Sequence, residues 1–357
     1  MKSKVFHIPA HSGEDPAVLS GKAERAFLET GWTKTIGPDD FVALKIHFGE
    51  KNNTGHIQAP WINGILRRVK EKSERAFLAE TSTLYTGSRS NAVDHIRLAW
   101  SHGFAPRAVE DIPIVITDGL LGGDFEEVKV RAGSLRTAKI ASGIVRSDAL
   151  VCLSHVTGHV LSGVGAAIKN LGMGCAARPG KLEQHAVLHP RVSAKACRNC
   201  GICLDFCPAG AIVQAEGHVV IDDAKCIGCG ECLVACKKGA VKFRWDEDAP
   251  RVQEKMAEYA RAVQSLFKGK IAFVNFALKI TKDCDCMATN QRPIVEDVGI
   301  LASTDPVALD RASVDLVIAR AGTDVFRKGY DLDWSAQLRH GEKIGLGRTA
   351  YDLVELE

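Results

Sequence analysis

Eight of the twelve cysteines in this 357-residue chain fall between Cys197 and Cys236, in two runs of identical spacing. The first run is Cys197-Arg-Asn-Cys200-Gly-Ile-Cys203-Leu-Asp-Phe-Cys207; the second, offset by 29 residues, is Cys226-Ile-Gly-Cys229-Gly-Glu-Cys232-Leu-Val-Ala-Cys236. A cubane iron–sulfur cluster presents four irons at tetrahedral corners and asks for four thiolates arriving from different directions. Two residues between successive cysteines let a tight loop wrap three corners, so the fourth thiolate must come from elsewhere. Zinc ribbons also use CxxC pairs, but they require neither a third cysteine at the same interval nor a following CxxxC. The expected chemistry is therefore [4Fe–4S] binding and one-electron transfer. Gly201, Gly228 and Gly230 keep side chains away from the sulfurs and leave amides to donate to them.

Each run continues into a short apolar stretch, Gly210-Ala-Ile212 after the first and Gly239-Ala-Val241 after the second. A duplicated half of this kind resembles the pseudo-symmetric form of a bacterial-type two-cluster ferredoxin. In such modules the fourth cysteine of each run ligates the other cluster. The resemblance implies Cys197, Cys200, Cys203 and Cys236 on one cluster, and Cys226, Cys229, Cys232 and Cys207 on the second. Lys237 stands where these modules usually carry proline, a departure that bears on the turn and little on ligation. Between Arg191 and Arg244 basic residues outnumber acidic ones, which favours an acidic redox partner protein.

A second set of reactive residues lies outside the runs. Cys284-Asp-Cys286 follows an apolar strand pattern, where open α/β sheets place ligand sites, and i, i+2 side chains of an extended segment point the same way. These two thiols can offer soft ligands to a metal or act on a substrate. His47 and Glu50 follow another strand pattern, in a loop loosened by Gly49 and Gly55. The glycine-rich stretch from Gly158 through His159 to Lys169 reads as a turn at a helix start whose free amides seat a phosphate, with Lys169 about two turns along. Cys152 and Cys175 read as core thiols.

Several segments together resemble the family catalogued as domain of unknown function 362, in which an α/β domain is often interrupted by a ferredoxin insert. They are Lys45-Ile-His-Phe-Gly-Glu50 with Asn53-Thr-Gly55, His155 through Asn170, Asn275 through Cys286, and Gly299 through Asp310. More faintly, His159, Lys169 and His185 resemble the nickel-pincer proteins related to lactate racemase. In those enzymes a lysine anchors a nickel-bearing nucleotide and histidines ligate it or do acid–base work. That resemblance implies a further metal or nucleotide-type cofactor in the α/β domain.

The elements that must position these groups are legible in outline. Apolar runs at Val5–Ile8, 41–47, 77–80, 114–117 and 149–153 alternate with amphipathic stretches at 16–30, 60–72 and 91–102, the signature of an α/β domain with a mostly parallel sheet. A small α+β insert of ferredoxin type then divides the chain into 1–190, 191–240 and 241–357. In the last part, 252–267 reads as a helix and 271–280 as a strand. A further helix is capped by Asp305 with Pro306 at its first position, and the tail from Ala350 reads as an edge strand. Charges nearly balance, 46 Lys+Arg against 43 Asp+Glu, so no field argues for nucleic acid or a membrane surface. Lacking an apolar leader or spanning run, the chain is expected in the cytoplasm. The function expected is an iron–sulfur redox protein acting on a small molecule, through a site drawn from His47, Glu50, His159, Lys169, Cys284 and Cys286. A pure electron carrier with a partner-docking domain, and a non-redox isomerase with structural clusters, stay open as alternatives.

Overall fold

The computed structural model describes residues 2–84, 87–185, 190–207, 209–226, 232, 235–236, 238–243 and 249–357. Among them, eight strands form one sheet in the order Tyr351–Glu355, Ser3–Ile8, Gly299–Ser303, Ile271–Ala277, Ala149–His155, Val42–Lys45, Ala76–Glu80, Ile114–Ile116. Gly299–Ser303 runs antiparallel to both neighbours, and the other pairings are parallel. The fold is α/β with a mostly parallel sheet, as the alternating apolar and amphipathic segments predict.

Every residue of Ala149–His155 and Ile271–Ala277 is buried, which is why these strands read as continuous apolar runs rather than alternating ones. Successive side chains still point to opposite faces. Val151 and Leu153 join one core with the helices Pro16–Glu29 and Ala59–Lys70, while Leu150 and Cys152 join a second core with Ala249–Leu266 and Pro306–Ala321. Large aliphatics buried in such layers contribute about 1.5–3 kcal/mol each. Asp305 caps its helix as the sequence predicts, accepting from Val307 and Ala308 at 2.9 and 3.0 Å, and Asp15 caps Pro16–Glu29 by accepting from the Ala17 amide at 2.7 Å.

The chain leaves Val42–Lys45 outward to Ala76–Glu80 and Ile114–Ile116, then returns to lay Ala149–His155 on the other side of Val42–Lys45. Connections therefore depart in opposite directions from these two central neighbours. That opens a crevice beyond their carboxyl ends, where ligands bind in open α/β sheets.

Residues 190–243 keep a small core of their own, with buried Cys203, Ile212, Val219, Cys232, Ala235 and Val241. Pro190–Val192 pairs antiparallel with Val241–Phe243, which brings the two ends of the segment together. Between them lie the short helix Ile202–Asp205 and the hairpin of Ile212–Gln214 with Val219–Ile221.

Three details differ from the sequence expectations. The strand expected over 41–47 spans only Val42–Lys45, which leaves Phe41 exposed and releases His47 into the following loop. The hairpin of Phe125–Lys129 with Thr137–Ala141 and the helix Arg178–His185 carry too little apolar periodicity to be read beforehand. The glycine-rich stretch before Lys169 forms a hairpin of Thr157–His159 with Gly163–Gly165, so its helix starts only at Ala167. The edge strand at the tail forms as expected, parallel to Ser3–Ile8. No helix among the described residues is long and apolar enough to cross a membrane.

Candidate functional site

A cavity of about 120 Å³ opens at the carboxyl edge of the sheet, lined by Lys45, His47, Glu80, His155, Lys169 and Lys181 together with Cys284, Asp285 and Cys286. Its focus is the sulfur of Cys286. His47 Nδ1 accepts the Gly49 amide at 2.9 Å, which leaves the proton on Nε2, and that nitrogen faces Cys286 Sγ at 3.4 Å. Gly49 holds a φ of 81°, a left-handed conformation that glycine adopts freely. The Lys169 ammonium donates to the same sulfur at 3.9 Å. A hydrogen bond with Cys284 is the largest influence lowering the Cys286 thiol; burial opposes it, and the Lys169 charge and the His47 hydrogen bond add to it. The same bond, with burial, pushes Cys284 up. Burial works against the Lys169 ammonium, but the neighbouring sulfurs outweigh it and raise its pKa.

The loop carrying the two cysteines is pinned by a buried ion pair. His155 Nδ1 faces the Asp285 carboxylate at 2.9 and 3.1 Å, and Nε2 donates to the Leu278 carbonyl at 2.7 Å. Both partners accept, so both ring nitrogens carry protons. Burial alone would lower the His155 pKa; the Asp285 charge and these hydrogen bonds raise it instead. The Asp285 carbonyl also accepts the Glu50 amide at 3.0 Å, tying this loop to the one that carries His47.

Lys45 forms the floor of the site. Fully buried, its ammonium donates to Glu80 at 2.7 Å and to Asn170 Oδ1 at 2.9 Å. Burial works to raise the Glu80 carboxyl, yet the Lys45 charge wins and holds it down at about 2. Gly174 is required here, because a Cβ would stand 2.9 Å from Lys45 Nζ and 2.1 Å from the Asn170 carbonyl. Lys181 donates to Thr81 Oγ1 at 2.5 Å and to the Ala176 carbonyl at 2.6 Å, and burial lowers its ammonium to about 8.

Of the candidates named from sequence, His47, Lys169, Cys284 and Cys286 meet in this cavity. Glu50 does not line it: its carboxylate turns to Arg89 at 3.0 Å, and the guanidinium lines the cavity in its place. His159 stands behind the wall, its Nδ1 accepting the Leu161 and Ser162 amides at 3.3 and 3.2 Å, and burial beside Lys169 keeps it neutral. His185 does line the cavity and donates from Nδ1 to the Lys181 carbonyl at 2.7 Å.

The expected phosphate seat is overturned. The first amides of the helix, Ala167 and Ile168, donate to the Asp310 carboxylate at 2.8 and 2.9 Å, so a side chain from Pro306–Ala321 already caps them. Lys169 consequently lies in the first turn of a six-residue helix, not two turns along. Cys152 and Cys175 are buried core thiols, as their surroundings in sequence suggest.

In the cysteine-rich segment, Cys197, Cys200, Cys203 and Cys236 line one cavity of about 240 Å³, roughly the liquid volume of eight waters. Among the described residues no group of three or more His, Cys, Asp or Glu is placed to hold a metal ion. A cubane makes a different demand, for four sulfurs spread round a cavity, and these four residues fit it. Backbone amides already point at the sulfurs: Asn199 at Cys197 at 3.4 Å, Ala211 at Cys207 at 3.2 Å, and Ala240 at Cys236 at 3.3 Å. Burial works to raise the Cys236 thiol, but amides from residues 238–241 outweigh it and hold it down. Of the second expected set, Cys207, Cys226 and Cys232 are described; Cys229, Gly228, Gly230 and Lys237 lie outside the described residues.

No curated protein matches the chain. Among solved structures, it is similar to the lactate racemase apoprotein from Thermoanaerobacterium thermosaccharolyticum, at 11% identity and a TM-score of 0.37, covering 78% of this chain and 51% of that one. A protein from Thermotoga maritima is similar at 8% identity and a TM-score of 0.38, covering 87% of this chain and 60% of that one. The chain thus spans between half and three fifths of the length of these two structures. Residues 42–315 match the domain of unknown function designated DUF362, and the chain belongs to that family.

Proposed function

We propose that this chain is a cytoplasmic iron–sulfur redox protein with two [4Fe–4S] clusters, exchanging electrons with a partner protein and serving the cavity at the sheet edge, where an unknown small molecule reacts. The observation that carries the reading is the lining of the 240 Å³ cavity by three cysteines of the first run and the fourth cysteine of the second. Such interleaving is what a two-cluster module requires, and a zinc ribbon has no use for it. When bound, each cluster supplies one-electron transfer at a potential set by its surroundings. Cys197, Cys200, Cys203 and Cys236 hold the first cluster, and Cys207, Cys226, Cys229 and Cys232 the second. The amides of Asn199, Ala211 and Ala240 donate to ligating sulfurs and so stabilise added negative charge. In the α/β body, His47 and Lys169 hold the Cys286 sulfur ready and the His155–Asp285 pair fixes its loop.

Anaerobic purification with iron and sulfide analysis and electron paramagnetic resonance tests this. The expected result is about eight irons per chain and two paramagnetic centres on full reduction, with Cys200→Ser removing about half the iron. Stoichiometric zinc, or a single centre after careful reconstitution, would refute it.

A further inference from the structure

Two groups converge on the Cys286 sulfur: the Lys169 ammonium at 3.9 Å and the His47 Nε2–H at 3.4 Å. Donors so placed favour the thiolate over the thiol, and the thiolate is the nucleophilic form of cysteine. Beside it lies a cavity of about 120 Å³, the liquid volume of roughly four waters, enough for a molecule of only a few heavy atoms.

The charge of the wall says what kind of molecule. Lys45, Arg89, His155, Lys169 and Lys181 line it, against Glu80, Asp285 and the Cys286 sulfur. Three of these cations have a carboxylate of their own: Lys45 has Glu80, Arg89 has Glu50 and His155 has Asp285. Lys169 and Lys181 form no ion pair with a carboxylate among the described residues. Lys169 answers to the Cys286 sulfur, and Lys181 donates only to a hydroxyl and a carbonyl. Burial lowers the Lys181 ammonium despite the more distant charges of Asp118 and Glu80, and an anionic ligand in direct contact would relieve the remaining cost.

We propose that this cavity is a site of covalent reaction with a small carboxylate bearing an electrophilic carbon, with Cys286 as the nucleophile and Lys181 as the group that selects the carboxylate. In the reaction the Cys286 sulfur forms a bond to that carbon. The bond from carbon to the leaving group breaks, and the leaving group departs as an anion with the bonding pair. The Lys169 ammonium and the His47 Nε2–H stabilise the attacking sulfur and transfer no proton in this step. The proposal deepens the reading of this cavity as the reactive centre and holds whether or not the clusters are present.

The test is competitive alkylation of the holoprotein by iodoacetate and iodoacetamide, reagents of nearly equal size that differ in charge, read by mass spectrometry of the peptide containing Cys286. Iron content is measured on the same sample, so failure of the cluster reading registers separately. A free thiol provides the reference ratio. The expected result is a preference for iodoacetate at Cys286 over that reference by about tenfold or more, the weight of one charge-assisted hydrogen bond. In Lys181→Met the ratio returns toward the reference while Cys286 still reacts; in Lys169→Met both rates fall together. A ratio at Cys286 equal to the free thiol's, or a Cys286 peptide left unmodified by both reagents, would overturn the proposal, and the wild-type ratio decides even where a variant folds poorly.

Discussion

The two cysteine-bearing regions of this molecule are stabilised in opposite ways. The cavity at the sheet edge is built before any ligand arrives: three of its cations, Lys45, Arg89 and His155, are each paired with a carboxylate, and two extensive apolar cores lie on the two faces of the sheet beneath it. Among its described residues the segment 190–243 has one apolar cluster of six buried residues, of which Cys203 and Cys232 are two, and Cys197, Cys207 and Cys236 pack partly buried against them. Ile202, Phe206, Val213 and Val220 remain exposed. Segments this small usually need a metal or a disulfide to hold them, because too little apolar area is buried to offset chain entropy. On the readings proposed above, one region would use cysteine as a reactive group on a finished scaffold, and the other as the scaffold's own fastening.

Removing the iron is the hardest blow to that contrast. Anaerobic chelation is expected to unfold 190–243 while leaving the α/β body folded, because metal-ligand energy is folding energy for the segment alone. Hydrogen exchange read by mass spectrometry should show the amides of Ile212–Gln214 and Val241–Phe243 losing protection and those of Ala149–His155 keeping it. Equal loss in both regions, or none in either, would erase the distinction.

Next in size is Lys45→Met. Deleting one partner of a buried ion pair leaves the other charge uncompensated, at a cost of about 3–5 kcal/mol, so Glu80 unpaired should lower the denaturation midpoint of the body at neutral pH. The Glu80 carboxyl is held at about 2 in the folded chain against an ordinary 4.5, so its pairing stabilises above pH 4.5 and that contribution fades as pH falls toward 2. In the variant, burial without Lys45 raises the same carboxyl, and protonation then relieves the fold. The gap between wild type and variant should therefore narrow on acidification, and a gap independent of pH would show that the pair does not carry the stability. Iron content should not change.

The contrast also explains what the sequence discloses. Cys197, Cys200 and Cys203 could be grouped because local spacing is visible along a chain; Cys236, in the other run, is joined to them only by the resemblance to a two-cluster module, and the four line one cavity. Cys284, Cys286 and His47 could be singled out because each follows an apolar strand pattern. Lys45, however, sits inside such a pattern and reads as one charged residue at a strand end; only Glu80 and Asn170, brought up by the fold, make it the floor of a site. Arg89 and Lys181 are hidden for the same reason. The glycine-rich turn before Lys169 looked open to phosphate because its occupant, Asp310, is 143 residues away from Ala167. Partners separated by more than a hundred residues leave no periodic trace, whereas loops that wrap a ligand by themselves do.

The smallest expected effect concerns a place that belongs to neither region. Asp305 caps Pro306–Ala321 through the Val307 and Ala308 amides, and its other oxygen accepts from Ser3 Oγ at 2.7 Å and from the Arg348 amide at 2.9 Å. One carboxylate thus ties a core helix to the chain entering Ser3–Ile8 and to the turn before Tyr351–Glu355. Asp305→Ala should cost about 1–2 kcal/mol, the range for losing an N-cap. Because Tyr351–Glu355 is the edge strand, paired on one side only, hydrogen exchange should rise first there, with the Cys286 alkylation ratio and the iron content both unmoved. Asp305→Asn keeps an acceptor for the helix amides and should recover most of the loss. If the alanine variant instead disturbed the cavity or the clusters, the sheet would be transmitting strain from its edge to its centre, and the independence of the two cysteine regions would have to be given up.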